Sequence, residues 1–487
     1  MPGRTPSTPG SRIAVVLMLL VVGGLLSVGM PLSQRGVRDQ IQDPLAFEVP
    51  AINQHEKRIF AHYFPPYPIS LDNSESETDY YTRHYLDPEG EDGIHAASGG
   101  LLRDRPLARD PLTGDWAQAD LVTEVNQAAD AGIDGFFVDI LSLTSANWDR
   151  TVELMEAADG AGRGFVLVPQ LDATADAGQQ PLAEIAAKMA QLAGMPAAYR
   201  LDSGEFVLSA FKAENHPPQW WSQLMDILKD EHGITTVFMP VFLDARYLDD
   251  YSGISYAMGD WGLRNPGHVV AAPDRAAQAH ALNSRWIAPV SVQDVRPSQG
   301  VFWESDNLRN LRATWARAIE DDADFVLLVT WNDYSESTSF APSMAHGYVF
   351  LDVSAYYATW FKTGSAPTIV RDAMYVTHRT QPFGAEPTLA HRLMVLQHGN
   401  RNPAQDTVEV QTFFTAEAQV RVQIGSAAHT YTAPAGVYVR SFPLVHGSVE
   451  ASALRDGRPI AVVASPYEVT LQPDNQDLQY YAVSSRR

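Results

Sequence analysis

The residues of this 487-residue chain that are best suited to chemistry lie in the segment 331–337, WNDYSES, directly after an apolar run. Asp333 and Glu336 stand three positions apart in that turn. Hydrolysis of a glycosidic bond uses such a pair, because one carboxyl group protonates the leaving oxygen while the other activates water or attacks the sugar. Packing does not explain why an apolar strand should deliver Trp, Asn, Asp, Tyr and Glu into one turn. The segment therefore predicts Asp333 and Glu336 as catalytic carboxyl groups.

Polar and aromatic side chains also follow the other apolar runs of the chain. In a parallel barrel the carboxyl ends of the strands meet on one face, so such residues converge on a single cleft. Aromatic rings can stack on the C–H faces of sugars while carboxylates and amides bond to hydroxyl groups, so this mixture suits a carbohydrate. The predicted substrate contacts are His62, Tyr63, Asp139, Asp172, Lys212, Trp261, Gln293, Trp331, Asn332 and Tyr334.

Ordinary structural roles compete with these interpretations. A single Asp after a strand is often a helix N-cap, and Trp220-Trp221 at the start of a helical pattern is better explained by core packing. The stretch 212–216 is as well explained by a charged loop. His62 has no second His at ligand spacing, so we expect no metal site, and two carboxyl groups with water need no cofactor.

The barrel itself is predicted from alternation along the chain. Eight short apolar runs, of the kind that form buried parallel strands, alternate with segments whose apolar residues repeat at helical spacing. No glycine-rich phosphate loop follows a strand, which disfavours a doubly wound open sheet, the main competing architecture. We therefore expect an α/β fold, a (β/α)8 TIM barrel, over residues 58–371. The predicted strands are Ile59–Tyr63, Gly135–Ile140, Phe165–Pro169, Phe206–Phe211, Val237–Phe242, Ile254–Met258, Trp286–Val290 and Phe325–Thr330.

Two further regions accompany this barrel. The long acidic segment 65–114 is predicted as a wall or lid of the cleft. After a connection at 372–406, which could hold the first strands of a second domain, residues 407–487 alternate apolar and polar side chains between Gly, Pro and Asn. This pattern predicts a small β-sandwich. Because no aromatic row is evident in its strands, we expect it to brace the barrel rather than to bind glycan.

The amino terminus indicates where the protein is located, and the composition indicates which partners and which chemistry are excluded. Arg4 and Arg12 precede an apolar run at 13–30, so residues 1–36 are predicted as a signal peptide or membrane anchor, with 37–57 as a linker. We therefore expect an exported protein, secreted or anchored, whose amino-terminal segment can contact a membrane. A formal net charge of −23 repels nucleic acid. The absence of cysteine excludes thiol nucleophiles, disulfides and thiolate metal sites.

These segments resemble glycoside hydrolase family 71, the α-1,3-glucanases or mutanases, over roughly residues 58–364. The resemblance rests on RIFAHYF, AADAGIDGFFVDI, VLVPQLD, APVS and, most specifically, TWNDYSES at 330–337. It implies an endo-acting, inverting hydrolase of α-1,3-linked glucan, with Glu336 as general acid and Asp333 as general base. His62 and Asp172 match family positions that face the substrate. Asp134 matches a family aspartate that we interpret as structural, because it stands at the start of its strand.

The sequence departs from this family at three positions of the predicted site. Ser335 replaces a glycine, Thr338 stands where the family has histidine, and Asp139 stands where it has asparagine. Two other functions therefore remain open, namely a surface carbohydrate-binding protein without turnover and a barrel hydrolase of the endo-α-mannosidase type. A neutral polysaccharide or oligosaccharide is the expected partner of the hydrolases.

Overall fold

The computed structural model describes residues 45–66, 78–109, 112, 114–399 and 401–487. The predicted signal peptide or anchor at 1–36 and the first part of the predicted linker lie outside these residues, as does the stretch 67–77 of the predicted lid. Within the described ranges no helix combines the length and the apolar character that a membrane span requires. The rest of the predicted linker is packed rather than open, since Phe47 and Ile52 are buried.

Eight parallel strands close into a barrel, as predicted, and a short hairpin of β8 and β9 lies outside it. The barrel strands are β1 Arg58–Tyr63, β2 Gly135–Ile140, β3 Val166–Asp172, β4 Phe206–Phe211, β5 Thr236–Phe242, β6 Ala257–Asp260, β7 Arg285–Val290 and β10 Phe325–Leu328, and the hairpin strands are β8 Asp294–Arg296 and β9 Val301–Trp303. The third strand continues beyond Pro169 because Gln170 and Leu171 pair with both neighbouring strands and Asp172 pairs with Phe211 of β4. The sixth strand starts three residues later than predicted, since residues 252–254 form a single helical turn.

Helices surround the barrel on its outside. They are α1 Tyr80–His84, α2 Trp116–Asp130, α3 Ser145–Gly160, α4 Leu182–Ala193, α5 Pro218–His232, α6 Leu248–Tyr251, α7 Pro266–Ala271, α8 Arg275–Ala281, α9 Arg309–Glu320 and α10 Val349–Thr363. The predicted amphipathic helices are α2, α4 and α9, and each turns its apolar residues inward. Gly132, after α2, has a φ of +84° that favours glycine. Gly194, after α4, has a φ of −76° and does not need to be glycine on that ground.

Alternation along the strands decides which side chains enter the barrel. An apolar layer fills its centre and contains Phe60, Phe137, Val168, Val207, Met239, Ile287 and Leu327. Two residues further along their strands, His62, Asp139 and Gln170 point to the same side and form the next layer. The polar layer therefore lies at the carboxyl ends of the strands, where barrel enzymes bind their substrates.

An all-β region follows the barrel and forms a sandwich of two four-stranded sheets. The sandwich strands are β11 Ala373–His378, β13 Thr407–Phe414, β14 Ala418–Ile424, β15 Ala427–Ala433, β16 Gly436–Pro443, β17 Val449–Arg455, β18 Arg458–Ala464 and β19 Tyr481–Ser484. The short strand β12 Val395–Leu396 lies in this part of the chain but pairs outside the sandwich. One sheet has the order β16-β13-β11-β19 and the other β15-β14-β17-β18. Because β11 lies inside the first sheet, the predicted connection at 372–406 contains a strand of the sandwich.

The sandwich is fastened to the barrel by buried polar contacts. Arg312 of α9 donates to both carboxylate oxygens of Glu409 on β13, each over 2.6 Å. The β8–β9 hairpin is extended by β12, which pairs with β9 in parallel and belongs to the chain after the barrel. The cleft wall at this side is therefore built from two parts of the sequence that lie about a hundred residues apart.

Candidate active site

The turn that leaves β10 is held closed by its own hydrogen bonds. The Thr330 amide donates to the Thr338 carbonyl over 3.1 Å, and their side-chain hydroxyls lie 2.9 Å apart. Within this turn, Asp333 Oδ1 accepts three hydrogen bonds of 2.9–3.2 Å, from the amide and the hydroxyl of Ser335 and from the Glu336 amide. Three donors on one oxygen stabilise the ionised form of Asp333.

The two residues that replace family residues in this turn both fit it. Ser335 is not among the residues with positive φ, so its backbone does not require glycine, and its hydroxyl adds a donor to Asp333. The left-handed position belongs instead to Ser337, with a φ of +53°. Thr338 pairs with Thr330 and thereby closes the turn.

Glu336 is bound by an arginine from the β8–β9 hairpin. Arg296 Nη1 lies 2.7 Å from Glu336 Oε1. The opposite edge of the same guanidinium binds Asp294 through two bonds, from Nε to Oδ1 over 2.6 Å and from Nη2 to Oδ2 over 2.7 Å. A second buried arginine, Arg264, lies with its Nε 3.6 Å from Asp294 Oδ2. Two arginines therefore partly balance the acidic groups around Glu336.

Burial raises the pKa of both carboxyl groups of the turn. The negative charges of Asp333 and Asp294 raise the pKa of Glu336 further, well above its ordinary value, while Arg296 and Arg264 oppose the rise. Because Asp333 has three donors on one oxygen, we assign the charge to Asp333 and the proton to Glu336. A protonated carboxyl group next to an ionised one is the arrangement that acid–base catalysis needs.

His62 points into the barrel mouth and is held in one tautomer. Its Nδ1 lies 2.7 Å from Gln170 Oε1, while the Gln170 amide donates to Ser209 and the Ser209 hydroxyl donates to the Met239 carbonyl. This direction of bonds places the ring proton on Nδ1 and leaves Nε2 as an acceptor facing Asp139, whose Oδ2 is 3.9 Å away. Burial lowers the pKa of His62 to about 4, so the ring is neutral at pH 7.

Asp139 and Asp172 complete the acidic floor of the mouth. Burial raises the pKa of Asp139 well above its ordinary value, and the charges of Asp172 and Asp333 add to the rise. Asp139 Oδ1 is buried and has no hydrogen-bond partner among the described residues. Asp172 Oδ1, in contrast, accepts three bonds from Thr174 and Ala175. Burial and the neighbouring charges thus favour the neutral form of Asp139, whereas one oxygen of Asp172 is already bound by its own loop.

Trp261 forms the aromatic side of the same mouth. Its ring stands perpendicular to His62 at 4.8 Å between centroids and lies 4.7 Å from the ring of Phe211, the last residue of β4. Trp261 remains partly exposed, so part of the indole is open to a bound molecule. Lys212 follows Phe211 at the rim, half-buried, with a φ of +49°.

Two predicted substrate contacts point away from the cleft. Tyr63 follows His62 directly, so strand alternation turns it outward, where it is 1% exposed and packs against Phe136. Trp331 is fully buried in the same layer, 5.1 Å from the Phe136 ring, and its indole N–H donates to Glu124 over 3.3 Å. Both belong to the packing between strands and helices rather than to the substrate site.

Three further predicted contacts are occupied by the protein itself. The Asn332 amide bonds to both the N–H and the carbonyl of Phe64, at 2.8 and 3.0 Å. Tyr334 is 3% exposed and lies edge-on to Tyr81 under the segment after β1. Gln293 is 1% exposed, and its Oε1 accepts the Tyr480 amide from the carboxyl-terminal region. These side chains position the walls of the cleft and do not line it.

The sequence prediction missed the arginines. Arg296 and Arg264 contact the acidic cluster, yet the search for carboxylates and rings after each strand passed over them. One usable signal was the spacing of Asp294 and Arg296, since residues two apart on a strand face the same side.

Asp134 is structural, as its place at the start of β2 suggested. Its carboxylate binds the Lys362 ammonium at 2.7 Å, and both side chains are 1% exposed. It also accepts the Asn53 and Ile59 amides, over 2.7 and 2.8 Å. These contacts lie at the opposite end of the barrel from the turn after β10. Over the described ranges, no group of three or more His, Cys, Asp or Glu side chains is arranged to hold a metal ion.

Comparison with known proteins gives relatives of one kind. A mutanase of Penicillium rubens is 23% identical over 420 residues, which cover 80% of this chain and 84% of the relative. An ascus wall endo-1,3-alpha-glucanase of Schizosaccharomyces pombe is 24% identical over 250 residues, which cover 48% of this chain and 56% of that protein. The chain therefore spans little more than half the length of the fission-yeast relative.

A solved structure and a family profile were also matched. The endo-alpha-mannosidase from Bacteroides thetaiotaomicron is similar with a TM-score of 0.48 and 13% identity, covering 62% of this chain and 97% of that one. Residues 112–484 match the profile of glycosyl hydrolase family 71. This match spans well over half of the chain and confirms the resemblance and the enzyme class that it implied. The chain belongs to glycosyl hydrolase family 71.

Proposed function

We propose that this chain hydrolyses α-1,3-glucosidic bonds inside a neutral glucan and inverts the anomeric configuration. The observation that carries the proposal is the pair of carboxyl groups in the turn after β10. Three donors favour the ionised form of Asp333 against the effect of burial, whereas the charges of Asp333 and Asp294 favour the protonated form of Glu336. The printed names of the Penicillium and fission-yeast relatives, a mutanase and an endo-1,3-alpha-glucanase, support the choice of linkage.

In the proposed reaction Glu336 is the general acid and Asp333 the general base. Arg296 occupies Glu336 Oε1, so the proton stands on Oε2 and passes to the leaving glycosidic oxygen. Asp333 Oδ1 is occupied by three donors, so Oδ2 takes a proton from the water that attacks the anomeric carbon from the opposite face. The bond to the leaving oxygen breaks and one bond to water oxygen forms. Inversion requires about 6.5–9.5 Å between the two carboxyl groups, with the water between them.

The proposed substrate contacts are the predicted residues that face the mouth. Trp261 offers an aromatic surface for a sugar ring, and Asp139 and His62 offer a donor and an acceptor to hydroxyl groups. Asp172 supplies its second carboxylate oxygen, because the first is used by its own loop. Lys212 is proposed as a contact at the rim. Tyr63, Gln293, Trp331, Asn332 and Tyr334 are excluded from this set by the bonds and packing described above.

Export also remains a proposal. A wall polysaccharide, as the ascus wall glucanase name indicates for that relative, lies outside the plasma membrane. The charged and apolar segment at 1–36 would bring the chain there as a signal peptide or an anchor. The proposed contact with a membrane would be made by residues 1–36, which lie outside the described ranges.

The proposal is tested with wild type, Asp333→Asn and Glu336→Gln on a panel containing α-1,3-glucan, α-1,4-glucan and an α-mannoside. Each substitution is expected to lower kcat on α-1,3-glucan by about 10²–10⁴-fold. Proton NMR of fresh products should show the β-anomer first. Asp230→Asn and Glu231→Gln, at exposed positions of α5, are the matched controls and should retain full activity.

A fluoride substrate separates the two roles. Fluoride leaves without protonation, so Glu336→Gln should recover activity on α-nigerosyl fluoride while Asp333→Asn should not. Recovery by Asp333→Asn instead would exchange the two roles. Fresh α-anomer would refute inversion, release from the mannoside alone would refute the glucan assignment, and binding without release would indicate a protein that has lost turnover.

A further inference from the structure

We infer that Arg296 is a positioning residue for this reaction, which fixes one oxygen of Glu336 and leaves the other to carry the proton. The inference rests on the proposed roles of Glu336 and Asp333. Arg296 itself is placed to touch the acid rather than the reacting bond. Its role would be to set where the proton of Glu336 points and how readily it leaves.

The guanidinium is fully oriented before it reaches Glu336. Asp294 takes the Nε and Nη2 hydrogens in a two-bond fork, and this leaves Nη1 directed at Glu336 Oε1 over 2.7 Å. A planar group held at one edge cannot swing away from its partner at the other edge without breaking both bonds. The Arg296 guanidinium also lies 5.2 Å from the Trp303 ring centroid. The fork therefore fixes the direction in which Arg296 presents Nη1 to Glu336.

The backbone of the hairpin joins the same residue. The Val295 amide donates to the Glu336 carbonyl over 2.8 Å, so main chain and side chain of β8 hold Glu336 together. Opposite β8, β9 pairs residue by residue with it, and β12 supports β9 from behind. The exposed fractions of the Arg296 and Glu336 side chains are 18% and 21%, which leaves this ion pair at the surface of the cleft.

The charges that face Glu336 come from three elements. Asp333 lies in its own turn, Asp294 and Arg296 come from β8, and Arg264 follows β6. Across the mouth, the charge of Asp333 also raises the pKa of Asp139 on β2. If Arg296 is replaced by a neutral side chain, Glu336 keeps two anionic neighbours and only one cation, which is already engaged with Asp294. The pKa of Glu336 must then rise.

This reasoning predicts a shift with a defined sign. Glu336 has to be protonated, so its pKa sets the alkaline limb of the pH–activity profile. Arg296→Met should therefore move the alkaline limb of kcat/KM upward by about 1–2 pH units, the usual effect of one close opposite charge. The acidic limb, set by Asp333, should move upward by less, because Arg296 contacts Glu336 directly. Arg296→Lys keeps the charge without the fork and should show a smaller shift with a lower kcat.

The leaving group supplies the second readout. On α-1,3-glucan, Arg296→Met should lower kcat at least about tenfold through misdirected proton transfer. On α-nigerosyl fluoride, which needs no acid, the same variant should approach wild-type kcat. Arg312→Met is the matched control, since it removes an equally short two-bond arginine–glutamate pair on the outer side of the barrel. That control should lose stability but keep both limbs of the profile.

The outcomes separate this inference from the proposed function. If Glu336→Gln keeps full activity on glucan, the proposed function fails. If Glu336→Gln is inactive on glucan while Arg296→Met keeps the wild-type profile, or loses the same factor on both substrates, Arg296 does not act through Glu336 and the inference is overturned. An upward alkaline limb together with recovery on the fluoride supports it.

Discussion

The buried ion pair of Asp134 and Lys362 gives the sharpest prediction about stability. Asp134 occupies a position that the family shares, and a loss of activity on its replacement could be mistaken for a catalytic role. Its carboxylate holds the Lys362 ammonium together with the Asn53 and Ile59 amides. Lys362 also donates to the Gly132 carbonyl over 2.7 Å. We expect replacement of Asp134 to destabilise the fold and to leave the chemistry of folded molecules unchanged.

The size of the effect follows from what each substitution leaves behind. Asp134→Ala leaves a buried ammonium without its counter-charge and two amides without their acceptor. Breaking a buried ion pair costs about 3–5 kcal/mol. This is a large part of the free energy of unfolding of a typical domain, which is about 5–15 kcal/mol. Asp134→Leu combined with Lys362→Met removes both charges, and we expect it to recover at least half of the loss.

Urea unfolding and active-site titration measure the two sides of this prediction. The single variants should unfold at lower urea with an unchanged slope, and kcat per folded molecule at 15 °C should stay within twofold of wild type. A kcat that falls a hundredfold in fully folded Asp134→Ala would refute the structural interpretation. A double variant that is less stable than both singles would refute the account based on an unpaired charge.

Three smaller predictions concern other sites. Burial lowers the pKa of His378 to about 4, so its contribution to stability is complete above pH 6.5 and is lost as the pH falls towards 4, by roughly 3 kcal/mol. His378→Gln should therefore make stability, measured by urea unfolding, less dependent on pH between 6.5 and 4. An unchanged dependence would contradict this prediction. At Gly425, where φ is +51°, a Cβ would lie 1.9 Å from the His446 carbonyl oxygen, whereas a Cβ at Gly457, where φ is +75°, would have nothing within 4 Å. Chemical denaturation should therefore show a loss of stability of about 2 kcal/mol or more for Gly425→Ala and about 1 kcal/mol for Gly457→Ala. Equal losses would show that the close contact at Gly425 is relieved. Trp331→Phe removes the hydrogen bond to buried Glu124 and should cost about 1–3 kcal/mol while kcat stays within twofold, and a large drop in kcat would return Trp331 to the site.

The sequence predicted the barrel because its strands are continuous apolar runs. The runs at 135–140 and 206–211 coincide with β2 and β4, since residues buried on both faces leave little doubt about where a strand lies. The limits of β6 were harder to predict, because a helical turn at 252–254 precedes it and ends with the apolar Ile254.

The site was predicted less completely, for reasons that differ between residues. Tyr63 and Trp331 were selected for their distance from a strand end, although the face of the strand decides whether a side chain enters the cleft. Gln293 and Asn332 are bound by Tyr480 and Phe64, at separations of 187 and 268 positions, which no local pattern can indicate. Arg296 was missed for a related reason, since it lies in the β8–β9 hairpin, which the predicted alternation of strands and helices did not include.

The support that β12 gives to β9 has a consequence for how the protein is made. During synthesis the barrel strands and the turn with Asp333 and Glu336 leave the ribosome before β12 has been translated. At that stage β9 can pair with β8 but not yet with β12. The hydrogen bond from the Tyr480 amide to Gln293 can form only later still. We therefore expect a nascent chain that has passed α10 to contain a closed barrel with an unfinished cleft. Competence for catalysis would arrive only after β12 and Tyr480 have been made, which separates in time the folding of the barrel from the completion of its cleft.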